Sequence, residues 1–267
     1  MESLSENYLR QLLQKCLDAV GQLAGEASVK SVEKYLTDLG YLGIRSTLPN
    51  AVFHILDMKT LTFKFVANTE EALGISPDEL LQKGMPLVFK TMATHSQNIN
   101  AVPELLKFMF DAIKDAPRNL RESFICYGYG VQYYRPSKKI FHSLVQVIGL
   151  EFDENGLPTL CFVIDQDVEH LVKKLDHFWG RISFGKGKRI VTYSSIEKQT
   201  KIQDIFTDRE EDVLKLLLKG NESKQIADKL FISHNTVDNH RKNMIRKLDA
   251  RDTTALVQLS KLLGILK

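Results

Sequence analysis

Residues 231–248 read FISHNTVDNHRKNMIRKL, and this stretch decides the fold of the C-terminal part of the chain. Ser233 is a good N-cap for a helix that starts at His234, because its hydroxyl can accept a bond from an orphan backbone N–H. At about 100° per residue, Val237, Met244 and Leu248 fall on one side, with Ile245 close by, as an apolar core stripe. Asn235, Asn239, Lys242 and Arg246 cluster on the opposite face, flanked by Asp238 and Asn243. Amides and cations on one helix face suit the major groove, where Asn pairs with adenine and Arg or Lys with guanine. An ordinary solvated helix face would also look like this, so the neighbours of the stretch decide between the two.

Before it, TDREEDVLKLLLKG pairs Thr207 with Glu210 at capping-box spacing. Acids crowd the first turn, where the helix dipole favours them, and Gly220 is placed to stop the helix. NESKQIADKL follows as a short helix, with Ser223 read as its cap and Ile226, Ala227 and Leu230 facing inward. Only Phe231, Ile232 and Ser233 separate it from the basic helix, which is helix-turn-helix spacing. A last helix over about Thr253 to Leu263 carries Leu256, Leu259 and Leu263. That is more apolar surface than one side of a small domain needs.

The segment from Thr207 to Leu263 resembles the LuxR-type (FixJ- or GerE-type) four-helix DNA-binding domain of bacterial transcription regulators. The matched positions include Thr207, Arg209, Glu210, Val213, Leu214, Gly220, Lys224, Ile226, Ala227, Ser233, Thr236, Val237, His240, Asn243, Lys247 and Leu248. The resemblance implies that the helix from His234 enters the major groove. It implies that Lys224 and Lys247 approach phosphates, and that the last helix pairs two subunits on a two-fold site. Departures are Asp238 where Lys is common, Arg241 where an apolar residue often stands, and Glu222 where Ser is usual. Arg241 is expected to lay its stem on the core and reach a phosphate or an acid. Asp238 is expected either to pin Lys242 one turn on or to accept a bond from a cytosine amino group. The expected DNA-binding set is Lys224, Asn235, Thr236, Asp238, Asn239, Arg241, Lys242, Asn243, Arg246 and Lys247, with Leu256, Leu259 and Leu263 for dimerisation.

Charge agrees with a tail domain that binds nucleic acid. Residues 1–198 hold 23 basic and 23 acidic residues, so the whole formal excess of +3 sits in 199–267. The composition, 43% hydrophobic and 26% charged, is that of a globular protein with a core in each of two domains. No apolar run approaches the length of a membrane span, and the first ten residues do not read as a signal peptide. Cys16, Cys126 and Cys161, odd in number and without a C-x-x-C, point to a reducing cytoplasm.

Residues 48–171 read as mixed strands and helices. AVFHILD and TLTFKFVAN are short strands; in the second, Leu61, Phe63, Phe65 and Ala67 alternate with Thr62, Lys64, Val66 and Asn68. TEEALGISPDELLQKG gives two small helices, with Ser76 capping and Pro77 at the first helical position. AVPELLKFMFDAIKDA gives a longer amphipathic helix, and three strand-like runs follow. This order, with FVANTEEALGISPDELL and VIDQDVEHL, resembles the PAS sensor domain; the usual His-Pro-Asp-Asp element is replaced by GMPLVFKTMATHSQN. In SFICYGYGVQYY, Ile125, Tyr127, Tyr129, Val131 and Tyr133 should face one way, and Cys126, Gly128, Gly130 and Gln132 the other. The glycines leave room either for a ligand or for a closely packed helix, and packing is the favoured reading. His54, His95 and His142 read as core histidines rather than haem ligands, and Cys126 and Cys161 as small buried hydrophobes.

The expected fold class is α+β: a PAS-like antiparallel sheet with helices, then an all-α four-helix LuxR-type helix-turn-helix domain. The domains are 1–46, a helical segment with Leu9, Leu13, Cys16, Val20 and Leu23 at coiled-coil spacing; 47–195, the PAS-like domain ending in a hairpin at Gly185 and Gly187; and 200–267, the DNA-binding domain. The expected function is transcription regulation by a cytoplasmic homodimer on double-stranded DNA, with RNA polymerase as a candidate partner and no membrane. Control falls to a small ligand of unknown identity or, alternatively, to a protein partner or phosphorylation. No cofactor or metal is expected. The chain lacks G-x-S-x-G, a phosphate-binding glycine loop and metal-ligand spacing, so an enzyme using the N-terminal domain is the remote alternative. A phosphorylated receiver domain and a quorum-type ligand domain fit the N-terminal sequence poorly.

Overall fold

The computed structural model describes residues 5–21, 23, 32–48, 51–92, 98–134, 136–174 and 176–265; His95 lies outside them. The chain divides into two compact units, one of residues 1–167 and 176–202, the other of 168–175 and 203–267.

The first unit opens with α1 (Glu6–Val20), α2 (Val32–Asp38) and α3 (Tyr41–Thr47). The sheet then begins with β1 (Ala51–Asp57) and β2 (Thr62–Ala67), and four helices follow: α4 (Thr69–Leu73), α5 (Pro77–Lys83), α6 (Met85–Thr91) and α7 (Ala101–Lys114). The remaining strands are β3 (Phe124–Tyr134), β4 (Ile140–Phe152), β5 (Pro158–Asp167), β6 (Trp179–Phe184), β7 (Arg189–Ser194) and β8 (Gln199–Lys201). All pair antiparallel in one sheet of order β2-β1-β5-β4-β3-β6-β7-β8. The hairpin at Gly185 and Gly187 is therefore an extension of the sheet from β3. Ser76 caps α5 with Pro77 at its start, as its sequence requires.

Each sheet face is covered. On one, Phe53, Ile55, Phe162 and Ile164 pack with Tyr35 of α2 and Tyr41 of α3. On the other, α7 lies over β3 and β6, and α1 packs on α7 through buried Leu9, Leu12, Cys16 and Val20. A Cβ on Gly128 would sit 2.7 Å from Leu105, and one on Gly180 2.6 Å from Phe108, so both glycines let α7 approach.

Two alternation readings are overturned by bulges. In β2 the register slips opposite Ile55 and Leu56, which pair with Phe65 and Phe63. Phe63 and Val66 therefore join one core while Phe65 and Ala67 join the other. In β3 the register slips between Tyr129 and Val131, where Gly130 takes φ 92°. An extra residue in a period-2 strand reverses the faces beyond it. Val131 and Tyr133 thus share a core with Cys126 instead of with Tyr129.

In the second unit, α8 (Asp208–Leu218), α9 (Ser223–Leu230), α10 (His234–Leu248) and α11 (Thr253–Leu262) surround Val213, Leu214, Ile226, Val237, Met244 and Leu248, all fully buried. Thr207 and Glu210 form the capping box of α8, and Gly220 follows the helix at φ 76°. The cap of α9 is Glu222 rather than Ser223, whose position is the first of the helix and is buried.

Residues 168–175 depart from the boundary drawn at 195. The described ones, 168–174, lie along the turn between α10 and α11, where Val172 bridges Ala250. The Lys173 N–H donates to the Asp249 carbonyl at 2.9 Å, and the Arg251 N–H to the Leu171 carbonyl at 2.8 Å. Val168, Leu171 and Val172 are buried there, which is why the segment belongs to this unit. Val172→Ala removes two buried carbons and should cost the unit about 1.5 kcal/mol in a helix-monitored melt. An unchanged midpoint would mean that the strap is only draped on the surface.

Candidate nucleic-acid interface

The third helix of the unit holds the polar stripe. Ser233 caps α10 by accepting from the Thr236 N–H at 3.1 Å, which starts the helix at His234 and sets its phase. In that phase Asn235, Asn239, Lys242, Asn243 and Arg246 are exposed, Thr236 is half-buried at the first turn, and Lys224 is exposed on α9. Arg246 makes a long bond of 3.4 Å to Asn243. Phe231, in the tight turn, adopts φ 54° and is 94% exposed.

Three predicted contact residues are turned inward. Arg241 donates to the Ser223 hydroxyl at 2.6 Å and to Thr253 Oγ1 at 2.8 Å, and lies 3.5 Å from Asp238, so it ties α9, α10 and α11 together. Asp238 accepts from Ser223 at 2.9 Å and has His234 at 3.4 Å. Its partners are thus Ser223, Arg241 and His234, and the expected pairing with Lys242 is replaced by these. Lys247 is bonded to Glu210 at 2.6 Å and to the Ile205 carbonyl at 3.0 Å, with its ammonium over the Phe206 ring. Burial alone would raise the Glu210 carboxyl; the Lys247 ammonium and the Thr207 bonds outweigh it and hold the group below its ordinary value. The sequence marked Arg241, Lys247 and Asp238 as cations and an anion near a groove. It did not show Ser223 and Thr253 as the partners of Asp238 and Arg241, or Glu210 as that of Lys247, because those pairings cross helices.

The dimerisation assignment is corrected by burial. Leu256, Leu259 and Leu263 are fully buried within the unit. They form its core, and a stripe of leucines on a short terminal helix is consumed by so small a domain. The exposed face of α11 carries Thr254, Gln258 and Lys261.

A capped four-helix module with a three-residue turn before an amide- and cation-bearing helix defines a helix-turn-helix unit. Residues 204–260 match the family of bacterial regulatory proteins, luxR family (GerE). The spore germination protein GerE of Bacillus subtilis (strain 168) is 39% identical over 64 residues, 24% of this chain and 86% of that protein. The chain belongs to this LuxR family. Transcriptional regulatory protein LnrK of the same organism is 43% identical over 67 residues, which are 25% of this chain and only 30% of LnrK. Among solved structures, a Vibrio cholerae VqmA–ligand–DNA complex is similar over 85% of this chain and 87% of that one, at 15% identity and a TM-score of 0.32. That likeness is too loose to carry residue roles across.

Proposed function

We propose that the protein is a DNA-binding transcription regulator, a homodimer that reads the major groove with α10. The observation that carries this is the division of labour on α10. Asn235, Asn239, Lys242 and Arg246 stay exposed along one stripe, while Arg241 and Lys247 brace the helix from behind. Lys224 and Asn243 flank the stripe, and Asp238 and Thr236 fix its first turns. The exposed face of α11 is the natural place for a second copy.

The first unit is a PAS-like sensory or dimerisation module. The strand order β2-β1-β5-β4-β3, with small helices and one long helix on a single face, supports this reading. The same output under control of a protein partner or phosphorylation is the alternative.

Selection from random duplexes should return a pseudo-palindromic site. Lys224, Lys242 and Arg246 in two protomers neutralise about six phosphates, so log K should fall with log salt at a slope near −5. Asn239→Ala should cost about 1–3 kcal/mol at one base position, whereas Lys224→Ala should weaken all sequences alike. Uniform losses in both variants would mean that the base-reading face is misassigned.

A further inference from the structure

The first unit contains a cavity of about 110 Å³ between α7 and the sheet, beside Gly128 and Leu105. A smaller space of about 30 Å³ shares its His54, Phe63, Val88, Tyr133 and Asp165 walls. Apart from the Tyr133 hydroxyl and the Cys126 thiol the lining is largely apolar, and its ionisable pair is His54 of β1 beside Asp165 of β5. Their nearest atoms, Nδ1 and Oδ2, are 3.7 Å apart, beyond a hydrogen bond. Asp165 accepts from the Ser143 hydroxyl at 3.2 Å through its other oxygen. Both side chains keep some surface, 13% for His54 and 19% for Asp165, and both line the two spaces.

The remaining acceptor capacity of the carboxyl group is thus held in an apolar wall without a close partner. Unused acceptor capacity in an apolar wall is unfavourable, and an inserted donor recovers it. A largely apolar cavity of this order takes one aromatic ring: a space of about 150 Å³ accommodates benzene. An anionic guest would lose its hydration with no cation among the walls, and a cationic one would need Asp165 ionised, which burial opposes.

We infer that this cavity is a binding site for a small, uncharged, single-ring molecule carrying one hydroxyl or N–H group, which donates to Asp165. The ring fills the space beneath Leu105 and Gly128, and the donor sets its orientation against β1 and β5. The inference deepens the sensory reading of the first unit but is measured without DNA, so the two can fail separately.

Phenol and anisole test it, since they share a ring and differ in the hydroxyl donor. Titration calorimetry of the full chain should give saturable one-to-one binding of phenol, with anisole at least tenfold weaker. Asp165→Leu keeps an apolar wall and should lower phenol to the affinity of anisole. Leu105→Trp, which fills the space, should remove both isotherms. A flat phenol isotherm, equal binding of the two rings, or phenol preference that survives Asp165→Leu overturns the inference. A flat isotherm together with intact DNA binding would leave the regulator reading standing; loss of DNA binding with an intact phenol isotherm would do the reverse.

Discussion

Lys247→Met should lower the stability of the DNA-binding unit by about 2–3 kcal/mol, at or just below the bottom of the range of about 3–5 kcal/mol for breaking a buried ion pair. The substitution keeps the apolar stem against Phe206 and removes only the charge. Glu210, with 5% of its side chain exposed, then holds an anion without its counter-ion, while Lys247 itself is 33% exposed. That partial exposure is why the upper end of the range is not expected. In a domain of this size each kcal/mol moves the melting temperature by about 4–8 °C, so the helix signal should melt about 10–20 °C earlier. Adding Glu210→Gln should return part of the loss, because the orphaned charge goes with it.

The same pair sets an acid limit. The Glu210 carboxyl is held below its ordinary value in the folded state, so its contribution is present above the unfolded value and disappears as pH falls through the folded one. Lys247→Met should flatten that acid slope. Were Lys247 chiefly a phosphate contact, as the resemblance implies, the variant would keep its melting temperature and lose DNA affinity instead.

Lys247 also shows where the sequence stopped being legible. Its cap, its helix and its place on the face all follow from local spacing: Ser233 starts α10, and Val237, Met244 and Leu248 face the core as their periodicity requires. Thr207 and Glu210 were equally plain, because a capping box is complete within four residues. The partner of Lys247 lies 37 residues away, and nothing in the local pattern singles out Glu210 as more than a first-turn acid. Arg241 repeats the lesson, since Ser223 and Thr253 meet its guanidinium only across helices.

In the first unit the strands were legible and their faces were not. Gly130 and the slip opposite Ile55 each add a residue to one strand, and alternation cannot reveal which residue is the extra one. The strap of residues 168–175 was hidden for a different reason. Val168, Leu171 and Val172 are apolar in any reading, but their burial depends on the Ala250 turn, far along the chain. The cavity is legible least of all, because it is what the side chains around Gly128 fail to fill.

Asp165→Asn should stabilise the first unit, by about 2–4 kcal/mol at pH 8 and by almost nothing at pH 4. Burial pushes the Asp165 carboxyl from 3.8 up to about 7, against a smaller lowering by the Ser143 hydroxyl. The unfolded chain releases this proton near 3.8, whereas the folded unit keeps it until about 7. Folding therefore takes up a proton across that window, and wild-type stability falls as pH rises from about 4 to about 7, then levels. Asparagine has no proton to lose, still accepts from Ser143, and removes the slope. His54 works in the opposite sense, since burial holds it down to about 3 and costs stability as pH falls below its ordinary 6.5. That cost is absent at pH 8, where the advantage of the variant is read. Trp179, the single tryptophan of the chain, lies in β6 of this unit, so its fluorescence follows the right transition in urea. A variant advantage that is the same at pH 5 and pH 8 would show that Asp165 is ionised in the folded protein throughout, with a partner that burial alone does not supply.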